Sequence, residues 1–221
     1  MKNKMGEMIF NMQENREQQK GEQEKGFEFF AMISRMKYIE RWALMRNSIS
    51  ENISEHSLEV GIIAHGLAVI GNRRLGKNYS EERAALLGLY HDATEILTGD
   101  MPTPVKYYNT DILDAFRKVE DNAARRLLSM LPQDLTEDFK GIFFPKKEEE
   151  DLWKLVKAAD KLSALIKCIE EEKLGNGEFA SAKKAVEEFL NQIIHLQSLV
   201  LLVVFCKQYC SLDFFSFLQS Q

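Results

Sequence analysis

From Phe27 onward the chain is written at helical spacing. Apolar residues recur three and four apart through "GFEFFAMISRMKYIERWALM", with a polar break around Arg41, and again through "NISEHSLEVGIIAHGLAVI" as far as Ile70. Asn52 and Glu55 occupy the N-cap and N3 positions of the second stretch, a capping-box pair, and Gly71-Asn72 suit its end. Ser80 is the N-cap residue of "SEERAALLGLYHDATEIL", which reads as one helix to Leu97. Asp111 to Leu131 forms a further helix that stops before Pro132. "EEEDLWKLVKAADKLSALIKCIEE" follows Pro145, and the last long helix runs from Glu178 to the neighbourhood of Phe205. Alternating strand patterns are scarce. The expected fold is all-α, a single helical bundle of about six main helices.

Composition adds boundaries. Residues 1–26 are polar, rich in Gln, Glu and Lys, and predict a disordered extension; 27–190 form the folded domain; 191–221 are an apolar C-terminal helix or tail. The run Leu199 to Cys206 is shorter than the roughly 20 residues a membrane-spanning helix needs. It reads as a buried helix or a contact between subunits, and no membrane association is expected. The net charge of −5 excludes a global basic field for a nucleic acid polymer. A phosphate-bearing substrate would need a local device, a metal or a single Arg. Three cysteines without a CxxC pair fit a reduced, cytoplasmic protein.

The chemistry concentrates in "YHDATEILTGDMPTPVK", Tyr90 to Lys106. On a wheel, Leu86, Leu89, Tyr90, Ala93 and Leu97 share one face, expected to be core. The opposite face carries Ala84, Gly88, His91 and Glu95, with Asp92 at its edge. Small residues there leave room for a second helix, so this polar face should also be buried. Buried carboxylates are costly unless paired or bound to a cation, and a divalent ion neutralises them while taking a neutral imidazole as a further ligand. His91 and Asp92 can converge on one ion. His56, in the first turn of its helix and near the rim of a bundle, and Asp160, beside small Ala159 and Ser163, are the candidate remaining ligands. His65 lies nine residues beyond His56, on the opposite side of the same helix, and reads as structural; His195 falls in the tail. No histidine lies between Asp92 and Asp160, so one ion is expected rather than two.

The order H…HD…D on helices is similar to the signature of the HD-domain metal-dependent phosphohydrolases. "RWALMRN", "ENISEHSLEV", "YHDATEILTGDMPTPVKYYN" and "LVKAADKLSALIKCIEE" resemble, in order and context, the bacterial HD-domain 5'-deoxynucleotidases of the YfbR type, over roughly Phe27 to Leu190. The resemblance implies hydrolysis of deoxyribonucleoside 5'-monophosphates to deoxynucleoside and phosphate, with cobalt, manganese or copper supporting activity. It implies His56, His91, Asp92 and Asp160 as ligands of one divalent ion and Glu95 as the catalytic carboxylate. Arg41 and Trp42 match a substrate-contacting pair. Asp100, Met101, Pro102 and Thr103 match a substrate loop, and His56, Asp92 and Asp160 also border the bound substrate. It further implies a homodimer.

These roles make mechanical sense. The ion would polarise a phosphate oxygen and acidify a nearby water. Glu95 would orient and deprotonate that water, Arg41 would hold the phosphate in bidentate fashion, and Asp100 would protonate the leaving 5' oxygen or bind the sugar hydroxyl. Other expectations are a hydrolase of deoxynucleoside triphosphates or other phosphate esters, or a non-catalytic metal- or nucleotide-binding module. The retained Glu95 argues against the module, because structural metal binding does not need it.

Overall fold

The computed structural model describes residues 28–193. The expectations for residues 1–26, for the tail beyond 193 and for His195 lie outside the described residues. Within them the backbone is helical, joined by turns and by one isolated antiparallel bridge pairing Glu40 with Asn52, so the all-α expectation holds. The chain divides into two compact units, 28–36 with 93–144 and 37–92 with 145–193.

The second unit contains helices α1 (Ile53–Leu75) and α2 (Glu81–Tyr90), and later α7 (Glu150–Lys173) and α8 (Ala180–Ile193). The capping box opens α1 as expected: the Asn52 carboxamide oxygen accepts from the backbone N–H groups of Ser54 and Glu55, and the Glu55 carboxylate accepts from the Asn52 N–H. The helix runs past Gly71-Asn72 and stops at Gly76, whose φ of 62° suits a residue without Cβ. Val60, Ala64 and Leu67 of α1, Ala84 and Leu87 of α2, and Val156, Leu162 and Leu165 of α7 share one core. By length and composition α1 is apolar enough to cross a membrane, but those same residues bury it in that core.

The first unit holds two single-turn helices, α3 (Glu95–Thr98) and α4 (Thr103–Lys106), then α5 (Thr110–Leu128) and α6 (Gln133–Phe143). Fully buried Phe29 meets Phe30, Phe139 and Phe143 edge-on. Lys106 of α4 pairs with Glu120 of α5 at 2.8 Å.

Two further expectations are corrected. The helix read from Ser80 to Leu97 breaks at His91–Thr94, and the wheel drawn through it holds only in part, with Ala93, Ala84, Gly88 and Glu95 buried as expected. Leu89 and Leu97 are 39% and 37% exposed, and the buried face of α2 is that of Ala84, Leu87 and Gly88. The stretch from Phe27 is helical only as far as Tyr38, and beyond it Trp42 takes a left-handed backbone, φ 59°. The helix expected to stop before Pro132 does so, α5 ending at Leu128. Pro132 is then the N-cap residue of α6, an element outside the sequence-based expectations, whose Leu135, Phe139, Ile142 and Phe143 follow helical spacing.

Candidate metal centre

The centre begins with a close crossing of α1 and α2. A Cβ at Gly88 would lie 2.8 Å from the Gly61 Cα and 2.9 Å from the Gly61 nitrogen, so only glycine lets the two backbones approach this far. The crossing brings the start of α1 beside the end of α2. His56 points inward from the first turn of α1 and is fully buried rather than at a rim. His91 is the C-cap of α2, and its ring centroid lies 5.2 Å from that of His56. Asp92 follows it, and Asp160 comes from the middle of α7.

The four side chains meet at their polar tips. Asp92 Oδ2 lies 3.0 Å from His91 Nε2 and 3.5 Å from His56 Nε2, and Asp160 Oδ1 lies 3.3 Å from His56 Nε2. His56, His91 and Asp92 offer ligand atoms that all lie within 4.8 Å of one another. His65 is exposed, outside the group.

The hydrogen bonds behind the imidazoles set their tautomers. His91 Nδ1 contacts the Gly88 carbonyl oxygen at 2.8 Å. A carbonyl only accepts, so Nδ1 carries the hydrogen and Nε2 the lone pair. His56 Nδ1 lies 2.9 Å from Ser163 Oγ, and that hydroxyl donates to Glu59 Oε2 at 2.5 Å. Ser163 has one hydrogen to give, so it accepts from His56 Nδ1–H, and again Nε2 carries the lone pair. In the neutral rings both buried Nε2 atoms therefore present lone pairs to carboxylate oxygens. Lone pairs facing anionic oxygens repel unless a cation lies among them, so the donor set fits a divalent ion.

Titration follows the same charges. Burial, with help from the Arg41 charge, lowers the His56 pKa and keeps that ring neutral. Burial acts downward on His91 too, but the Asp92 carboxylate outweighs it and the net shift is upward. For Asp92, burial acts upward and is outweighed by His91, leaving a pKa of about 2. Asp160 is also held well below the usual range, burial being outweighed by its bond to His56 and the Lys161 charge.

Arg41 and Trp42 are organised by a residue the sequence did not single out. Glu51 Oε2 accepts from Arg41 Nη1 at 2.5 Å and from the Trp42 indole N–H at 3.1 Å. The Trp42 ring also packs on buried Phe179, centroids 5.3 Å apart. Glu59 and Ser163 were missed as site residues as well. No spacing rule marks them, because a polar residue on a helix looks the same whether it faces water or a histidine.

The remaining expected site residues belong to the first unit. Glu95 is buried at the first position of α3, and its carbonyl oxygen accepts from the Gly99 N–H at 2.8 Å. Asp100 and Met101 are half-buried, Pro102 is the N-cap residue of α4, and Thr103 is exposed at its start.

Comparison with known proteins agrees with this architecture. The chain is 50% identical over 159 residues to a 5'-deoxynucleotidase of Vibrio vulnificus, covering 72% of this chain and 82% of that protein. An HD-domain phosphohydrolase from Listeria innocua superposes with a TM-score of 0.69 at 22% identity, covering 78% of this chain and 83% of that one. The HD phosphohydrolase of cyanophage S-2L, solved bound to dA and one catalytic Zn2+ ion, superposes with a TM-score of 0.59 at 16% identity, covering 82% and 95%. A family model described as 5'-deoxynucleotidase YfbR-like matches residues 28–211, past the Leu190 at which the motif resemblance stops. By that match and by half-identity to a named relative, the chain belongs to the YfbR-like 5'-deoxynucleotidase family.

Proposed function

We propose that this protein is a metal-dependent phosphohydrolase that removes the 5'-phosphate from deoxyribonucleoside 5'-monophosphates, giving deoxynucleoside and phosphate. The observation that carries the reading is the pair of buried Nε2 lone pairs facing the carboxylates of Asp92 and Asp160. It gains substrate specificity from the half-identical 5'-deoxynucleotidase.

His56, His91, Asp92 and Asp160 would hold one divalent ion, with cobalt, manganese and copper as candidates. When bound, such an ion supplies positive charge to a phosphate oxygen and acidity to water beside it. Glu95, three residues beyond Asp92 along the chain, orients the attacking water and takes its proton. Arg41, held by Glu51, offers a planar guanidinium to the phosphate. Trp42 packs against the sugar, Asp100 protonates the leaving 5' oxygen or binds the sugar hydroxyl, and Met101, Pro102 and Thr103 complete the substrate loop. The working form is a cytoplasmic homodimer, with the domain at 27–190, a polar extension at 1–26 and an apolar helix or tail at 191–221 that is either buried or a contact between subunits.

The test is phosphate release from dAMP and AMP, side by side, with protein stripped of metal and reloaded with cobalt or manganese. Metal-dependent release, much faster from dAMP, is expected. No release from either nucleotide, with metal bound, would favour a non-catalytic module.

A further inference from the structure

We propose that Glu59 and Ser163 are positioning residues for the metal centre. Together they form a hydrogen-bonded chain that locks His56 in the tautomer presenting its Nε2 lone pair to the ion. The inference rests on His56 being a metal ligand.

The two histidines are held by different means. His91 Nδ1 is fixed by a backbone carbonyl, that of Gly88, which no substitution of a side chain removes. His56 Nδ1 is fixed by a side chain, Ser163 Oγ at 2.9 Å, and that hydroxyl is oriented by Glu59 at 2.5 Å. Imidazole and hydroxyl are both fully buried, so water cannot take the place of either partner. A free serine hydroxyl rotates and serves equally as donor or acceptor. If it donated to Nδ1, the imidazole hydrogen would sit on Nε2 and that atom could not ligate. The Glu59 carboxylate removes the choice by claiming the single serine hydrogen. Register supports the arrangement: Glu59 lies three residues after His56 on α1, and Ser163 three residues after Asp160 on α7. Each supporting residue thus sits one turn from a candidate ligand, and the chain bridges the two helices that carry them. Partners of this kind behind metal-bound histidines fix ring orientation and raise basicity.

The test uses cobalt(II) and the full-length protein. Affinity is measured by competition with a chromogenic chelator for wild type, Ser163→Ala, Glu59→Gln and the double variant. Ser163→Ala is expected to weaken cobalt binding by about 10–100-fold and Glu59→Gln by less. The double variant should match Ser163→Ala alone, because without the hydroxyl Glu59 no longer reaches the imidazole. Nitrogen-15 spectra of the metal-free wild type should show His56 protonated on Nδ1. Unchanged affinity in Ser163→Ala, additive losses in the double variant, or a hydrogen on Nε2 of His56 would each overturn the proposal. Wild-type protein that takes up no cobalt would overturn the metal centre itself, a separate failure.

Discussion

Asp92 shows how much one carboxylate can be asked to do. Its Oδ2 faces both imidazoles, at 3.0 Å and 3.5 Å, and His91 holds its pKa down at about 2, so it stays ionised through neutral pH. Asp92→Ala is expected to lose both cobalt and turnover; stoichiometric cobalt in that variant would mean the ligand set is wrong. Glu95→Ala should separate the two properties. Cobalt is retained, while kcat for dAMP falls by about 10²–10⁴-fold, the range of a lost general base. Normal turnover in that variant would remove Glu95 from the mechanism. The four candidate ligands were legible in the sequence because histidine and aspartate in that order, on helices, are unusual next to so much apolar chain. Their supports were not. Glu51, Glu59 and Ser163 acquire meaning only when folding sets α1 against α7 and folds Arg41 back toward Glu51.

At the scale of elements, the crossing of α1 and α2 decides whether His56 and His91 meet. Gly88→Ala would drive a methyl into the Gly61 backbone, whose atoms cannot move aside as a side chain would. A loss of about 1–3 kcal/mol of stability is expected, with weakened cobalt binding, read by urea denaturation and metal competition. Gly66→Ala on α1 is the control, since a Cβ there meets nothing within 4 Å. It should be neutral or stabilise by roughly 0.5–1 kcal/mol. Equal effects of the two substitutions would show that the close approach of Gly61 and Gly88 does not set the site. The helix starts at Asn52 and Ser80 could be read from sequence, because caps are local chemistry. The break at His91 could not. Nothing in "YHDATEIL" stops a helix, and continuing the wheel through it gives Leu97 to the core although it is exposed. Small Ala84 and Gly88 marked the buried face, as the sequence had also suggested.

For the molecule as a whole, the segment carrying Arg41, Trp42 and Glu51 has little regular structure, and a buried carboxylate helps to keep it in place, beside the bonds of Glu178 and Asn176 to the Arg46 backbone. Glu171 of α7 is fully buried. It accepts from the backbone N–H groups of Ser48 and Ile49 at 2.9 and 3.2 Å, from the Asn176 carboxamide at 2.7 Å and from Lys167 at 2.5 Å. These bonds, with Lys167 first, outweigh burial and hold its pKa well below the ordinary 4.5. A depressed carboxylate stabilises the fold fully above the unfolded-state value, and that stability is lost as pH falls toward the folded-state one. Glu171→Ala should therefore cost about 3–5 kcal/mol near neutral pH, because it takes the carboxylate from the buried Lys167 ammonium and leaves it bonded to the Ile49 carbonyl oxygen without a counter-charge. The gap between wild type and Glu171→Gln should narrow below pH 4.5. A gap that stays constant into acid would show that the charge of Glu171 is not what holds the segment. In the proposed reaction one divalent ion, held by His56, His91, Asp92 and Asp160, runs the hydrolysis. It is tested most directly by titrating metal-free protein with cobalt while following phosphate release from dAMP. Activity absent at the start, rising linearly and levelling at one equivalent is the predicted result; full activity before any cobalt is added, or a plateau only at two equivalents, would contradict it.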